Sequence, residues 1–202
     1  YDNTEITGYS LNSGDTATIN WPAGAFGRAY WPLNLNVKDI GGNYDGTAEY
    51  VTYANGQFNQ AAVFNGSTSN IVVPNIRTAI DNNFSISFWM RTGASLSSQV
   101  IIGMYGYNAS DPTGSGTGWS IEYIGGNKFM FYWVYAVSAA AQLDSPVLTA
   151  DTWYHVTVTK DSSSAKLYIN GTLEDSSTSN TGLYYGYGAY FINDVTFGGR
   201  HL

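Results

Sequence analysis

Hydrolysis of a glycosidic bond takes two carboxylates flanking the bond, roughly 5 to 9.5 Å apart, so the acidic residues are the first place to look for chemistry. The glutamates are Glu5, Glu49, Glu122 and Glu174, and none has an acidic partner at i+2 or i+4, the spacing that would set two carboxylates on one strand face. Glu122, in Trp119-Ser120-Ile121-Glu122-Tyr123, reads as a lone strand carboxylate and is expected to be solvated. The histidines are His155 and His201. His155 alternates with Trp153 and Thr157 against Tyr154, Val156 and Val158, the pattern of a sheet-face residue, and no serine lies in a Gly-x-Ser-x-Gly elbow. Cysteine is absent, which removes thiolate nucleophiles, thiolate metal sites and disulfides. The sequence therefore predicts a chain that is not an enzyme.

Two other groups of residues point to binding. Asp39-Ile40-Gly41-Gly42-Asn43-Tyr44-Asp45 offers two carboxylates and several carbonyls, a hard-oxygen set suited to Ca²⁺ through Asp39 and Asp45. The same spacing suits an Asx turn, in which the carboxylates accept backbone N–H groups instead. Aromatic rings form the second group, because a ring can stack on the apolar face of a pyranose while neighbouring polar groups match its hydroxyls. Phe129, Phe131, Trp133 and Tyr135 share one face of a strand, with Met130, Tyr132 and Val134 on the other. If Met130 and Val134 point inward, Trp133 and Tyr135 are free to meet a ligand; if not, they are core. Tyr184, Tyr185 and Tyr187 lie in a Tyr/Gly loop over residues 183–190. With Tyr105, Tyr107, Asn108 and Asp111 they could form a rim site, or they could pack against a neighbouring subunit, since tyrosine is enriched at interfaces.

The elements that position these residues are strands. Short runs of period-two alternation recur between Gly/Asn/Asp/Ser clusters, and no window carries a sustained 3.6-residue stripe. Strands are predicted over 84–90, 119–124, 128–137, 153–160 and 165–170, with shorter ones over 70–73 and 100–104. Asn170-Gly171 and Gly125-Gly126-Asn127 read as tight hairpin turns that need positive φ. At 202 residues, one β-sandwich accommodates the whole length. Aromatics reach 16% while charged residues reach only 11%, which argues against a disordered chain and requires a surface built from neutral polar groups. A net charge of −7 with scattered basic residues argues against nucleic acid as a partner. No apolar run is long enough to span a membrane.

From about residue 30 the order of motifs resembles the laminin G-like jelly-roll family of the concanavalin A-like superfamily. The resemblance rests on Tyr30-Trp31-Pro32-Leu33-Asn34 with the Asp39 to Thr47 loop, on Gly56-Gln57-Phe58 through Phe64-Asn65-Gly66, and on Trp153-Tyr154-His155-Val156 continuing to Leu167-Tyr168-Ile169-Asn170-Gly171. It implies an all-β, two-sheet antiparallel jelly-roll sandwich over residues 30–202, with residues 1–29 as an N-terminal extension. It also implies a non-catalytic recognition module for a glycan or surface polysaccharide, displayed on an extracellular, cell or virion surface. The alternative is a structural, decoration or adhesion domain of a phage-type virion or other surface assembly, whose tyrosines meet virion subunits or further copies of the chain. Related domains place calcium near the Asp39 loop with a second Asp from a closing strand that this sequence does not contain. Without that closing strand, the first strand near Tyr30 to Leu35 is expected to be paired by the N-terminal extension or by a neighbouring chain.

Overall fold

The computed structural model describes residues 29–80, 83–93, 98–107, 116–136, 139–185 and 194–198. The N-terminal extension, with the pairing expected of it, lies outside the described residues. Within them the chain forms thirteen strands: β1 Thr47–Glu49, β2 Thr52–Asn55, β3 Gln60–Val63, β4 Asn70–Val73, β5 Phe84–Arg91, β6 Gln99–Tyr107, β7 Gly116–Gly125, β8 Lys128–Ala136, β9 Ala139–Asp144, β10 Trp153–Lys160, β11 Ala165–Ile169, β12 Thr172–Ser177 and β13 Val195–Phe197. The expected antiparallel sandwich is present. One sheet has seven strands in the order β1-β4-β13-β6-β7-β8-β9, the other has four in the order β12-β11-β10-β5, and β2 and β3 form a separate ribbon.

Alternation decides which side chains meet between the sheets. In β5, Phe84, Ile86, Phe88 and Met90 face inward, and Val156 and Val158 of β10 join them together with Leu167 of β11. The seven-stranded sheet answers with Ile71, Val73, Met104, Trp119, Ile121, Phe129, Phe131 and Trp133, all essentially inaccessible to solvent. Phe131 and Trp133 stack with centroids 5.1 Å apart, and Phe84 reaches across from the other sheet to within 5.1 Å of the Trp119 ring. Among the described residues the Trp119 indole Nε1 finds no acceptor.

Turn chemistry sets the registers. Asn170 at φ 50° and Gly171 at φ 81° close the β11–β12 hairpin, and Gly125, Gly126 and Asn127 all take positive φ between β7 and β8, as the sequence requires. The expected strand near Tyr30 to Leu35 does not form. Leu33 and Leu35 have φ of 53° and 62°, values that no strand ladder accommodates, and the segment is held through loop hydrogen bonds instead. Glu122, expected in solvent, is 4% exposed and accepts a 2.7 Å hydrogen bond from the Ser120 hydroxyl.

Gly118 illustrates how tightly β7 is set. Its φ is +85°, and a Cβ there would overlap the Met104 carbonyl of the neighbouring strand. Gly118→Ala is therefore expected to lose about 3 kcal/mol or more of stability in urea unfolding, from clash and left-handed strain together. A loss under about 1 kcal/mol would mean that β7 can relax away from β6.

Candidate functional site

The sequence-predicted tyrosines divide according to how the end of the seven-stranded sheet is built. Opposite partners across β6, β7 and β8 place Tyr105 against Gly118, Gly103 against Ser120, and Ser120 against Tyr132. Directly opposed residues point to the same side of a sheet. One outer face therefore carries Tyr105, Gly103, Gly118, Ser120, Glu122 and Tyr132. The two glycines contribute no side chain, leaving a floor of Ser120 and Glu122 bordered by tyrosines. Tyr105 and Tyr132 meet edge to face with centroids 5.6 Å apart.

Tyr184 is brought to the same end by its backbone. The Gly118 N–H donates to the Tyr184 carbonyl at 2.7 Å, and the Tyr184 N–H donates to Val134 O at 2.7 Å, so this segment bridges the ends of β7 and β8. Further anchors hold it: the Trp133 indole donates to Asn180 O at 2.7 Å, Thr181 Oγ1 donates to Ser162 O at 2.6 Å, and the Lys160 ammonium donates to Thr181 O. Lys160 is 2% exposed, and desolvation holds its pKa below the ordinary 10.5. Tyr135, half-buried, flanks the same segment, its carbonyl lying beside Gly182.

Trp133 and Tyr185 are not at this surface. Trp133 is completely buried and belongs to the core, because the larger apolar volume of Phe129, Phe131 and Trp133 fills the space between the sheets and turns Met130 and Tyr132 outward. Tyr185 is 9% exposed, with the Arg77 guanidinium 4.6 Å from its ring centroid and its hydroxyl 3.4 Å from Ile80 O. Tyr107 pairs through its backbone with Gly116. Asn108, Asp111 and Tyr187 lie outside the described residues. Tyr132 was missed as a member of the candidate site. The signal for Tyr132 was its alternation with Phe131 and Trp133, which reads correctly once the bulkier face is assigned to the core.

The Asp39 loop has its own geometry. Asp39, 4% exposed, accepts backbone N–H groups from Tyr30 at 2.8 Å, Gly41 at 3.1 Å, Asn43 at 3.1 Å and Tyr44 at 3.2 Å. Asp45 accepts the Asp39 N–H at 3.0 Å and the Lys38 ammonium at 2.6 Å. The Lys38 hydrogen bond, with that backbone N–H behind it, holds the Asp45 carboxyl below its ordinary 3.8. Donors converge on the lone pairs that a calcium ion would need, so this set does not fit a cation, and no cluster of three or more His, Asp or Glu suited to a metal occurs among the described residues. The arrangement does suit a loop wound around one buried carboxylate.

Glu122 offers limited acid chemistry. Asp144 of β9 lies in register with it across Met130, two strands away. Asp144 is exposed at the sheet edge, whereas Glu122 is buried and tied to Ser120, so the two do not flank an open space.

Comparison with known proteins adds a family and a fold. The sequence model of a laminin G family, described as the concanavalin A-like lectin/glucanases superfamily, matches residues 65–200. Domain 4 of AbnA, a GH43 extracellular arabinanase from Geobacillus stearothermophilus in complex with arabinotriose, superposes with a TM-score of 0.57 at 23% identity, covering 84% of this chain and 81% of that one. The botulinum neurotoxin type G receptor binding domain gives a TM-score of 0.53 at 22% identity, over 79% of this chain and 39% of that one. Domains LG4-5 of the mouse laminin alpha1 chain give 0.50 at 18% identity, over 67% of this chain and 33% of that one. A comparison with curated proteins finds no match.

Two outcomes test this geometry. Asp39→Ala is expected to cost about 3 kcal/mol, because four N–H donors lose their acceptor, whereas EDTA is expected to leave the melting temperature of the native protein unchanged; a fall on chelation would return the two aspartates to calcium. For Lys160, the folded pKa lies below the unfolded 10.5, so the unfolded chain holds the proton more tightly and stability should rise with pH between those values. Lys160→Met is expected to flatten that rise in urea titrations at alkaline pH.

Proposed function

This chain belongs to the concanavalin A-like lectin/glucanases superfamily, and from that premise we propose that it is a non-catalytic module that recognises a glycan outside the cell, at a cell or other surface. The observation that carries this reading is the pair of half-buried rings, Tyr105 and Tyr132, that meet edge to face on the outer side of the seven-stranded sheet. Such a face suits a sugar, whose C–H groups lie against ring edges and faces while its hydroxyls look for polar partners. Tyr184 lies at the same end of the sheet. The arabinanase domain in complex with arabinotriose supports the reading, since a domain of this fold there accompanies a bound oligosaccharide. Binding is favoured over hydrolysis because Glu122 is buried against Ser120 and, among the described residues, no second carboxylate faces it across an open space. The partner is accordingly a glycan or surface polysaccharide.

A glycan array followed by isothermal titration tests this. Binding to at least one oligosaccharide is expected, and Tyr132→Ala should weaken it about tenfold without a comparable loss of melting temperature. Absence of binding at millimolar sugar across the array, or full binding by a Tyr105→Ala/Tyr132→Ala double variant, would overturn the assignment of this face.

A further inference from the structure

We propose that the opposite side of the molecule, the outer face of the four-stranded sheet, carries a second and separate saccharide platform built on Trp89 and suited to a sugar that bears a carboxylate. Strands β5 and β10 pair with Ser87 opposite Thr157, Trp89 opposite His155 and Arg91 opposite Trp153. All six side chains therefore project to the solvent side, away from Phe88, Met90, Val156 and Val158 in the core.

Trp89 is 39% exposed on the solvent side of this sheet. Its ring is fixed by neighbours on two sides. Phe58, 69% exposed at the tip of the β2–β3 ribbon, meets it edge to face at 5.8 Å, and the His155 imidazole lies tilted at 5.2 Å. His155 is oriented in turn by a 2.8 Å hydrogen bond between Nε2 and Ser87 Oγ, and Ser87 is 3.1 Å from Thr157 Oγ1. An exposed indole held in one orientation pays little ordering cost when a ligand stacks on it. Hydroxyl and imidazole groups at its border match the equatorial hydroxyls of a pyranose whose apolar face covers the ring.

Area and charge select the occupant. A fully buried aromatic side chain covers only about 150–250 Å², so two partly exposed rings fall well short of the roughly 800 Å² per partner that a stable protein interface buries. The platform fits one or two sugar rings better than a second copy of the chain. The chain as a whole carries −7, yet β5, β10 and β11 present Arg91 and Lys166 on this face and no carboxylate. Arg91 is held by the Trp153 ring, its guanidinium carbon 5.6 Å from the centroid, two positions along β5 from Trp89 on the same face. A guanidinium fork accepts a carboxylate through paired hydrogen bonds. A uronic acid residue supplies both the apolar ring face and the carboxylate.

This site stands or falls separately from the tyrosine-bordered face, and the experiment keeps them apart. Titrations of trigalacturonate and of a neutral galactose trisaccharide into the full chain, followed by calorimetry, are expected to show tighter, salt-sensitive binding of the uronate. Trp89→Ala and Phe58→Ala should each weaken uronate binding about tenfold, Arg91→Gln should abolish the preference over the neutral trisaccharide, and Tyr132→Ala should leave uronate binding unchanged. Phe58 sits at an exposed ribbon tip, so its variant reports on the platform even if the Trp89 variant fails to fold. Equal affinity for the two trisaccharides, no uronate binding at millimolar concentration, loss through Tyr132→Ala rather than Phe58→Ala, or a concentration-dependent dimer abolished by Phe58→Ala would each overturn the proposal.

Discussion

Residues Thr117 to Tyr123 of β7 are buried on both faces of the seven-stranded sheet, and much of the surrounding structure keeps that strand's groups satisfied. Its inward side chains, Trp119 and Ile121, fill the space between the sheets. Its outward ones are a serine and a glutamate that must bond to each other or to neighbours, because a buried carboxylate without a donor is costly. The close approach of β6 requires glycine at positions 103 and 118, where a Cβ would press on Ser120 or on the Met104 carbonyl. Those two glycines put no side chain on the outer face beside Tyr105 and Tyr132, whose rings meet there. A packing requirement of the core strand thus also shapes the outer face of the sheet.

The segment at 180–185 follows from the same strand. Gly118's left-handed backbone turns its N–H away from the β7–β8 ladder, and the Tyr184 carbonyl receives it. Holding that segment takes the Trp133 indole, the Thr181 hydroxyl and a lysine ammonium that has been removed from water. Lys160 is an expensive way to bind a carbonyl, since desolvation disfavours its charge. Its placement at the inward end of β10, where alternation would put an aliphatic residue, shows that anchoring Thr181 outweighs apolar packing there.

The two outer faces share a style of construction. Each presents aromatic rings pinned by other rings with hydroxyl groups close by, as expected of a chain with few charged residues and many Tyr, Ser and Thr. They differ in what backs them. The tyrosine-bordered face rests on a strand buried on both sides, whereas Trp89 stands on β5, an edge strand of its sheet, steadied by a ribbon from elsewhere in the chain.

Period-two alternation, β-branched and aromatic runs and the Asn170-Gly171 and Gly125-Gly126-Asn127 turns were enough to establish strands, antiparallel hairpins and a sandwich, because these depend on local backbone geometry and on one buried face per strand. The Asx-turn reading of Asp39 was also legible, from an Asp-x-Gly spacing that positions nearby N–H groups. Which face of β8 is inward was not, since Phe129, Phe131 and Trp133 and the alternating Met130, Tyr132 and Val134 are both apolar enough to be core. Only the facing sheet decided it, through the volume of Phe84 and its neighbours, and that decision removed Trp133 from the site and admitted Tyr132. The burial of Glu122, the bridging position of Tyr184 and the meeting of Phe58 with Trp89 are contacts between residues far apart in the chain. No local spacing encodes them, because they depend on how the strands are ordered across the sheets.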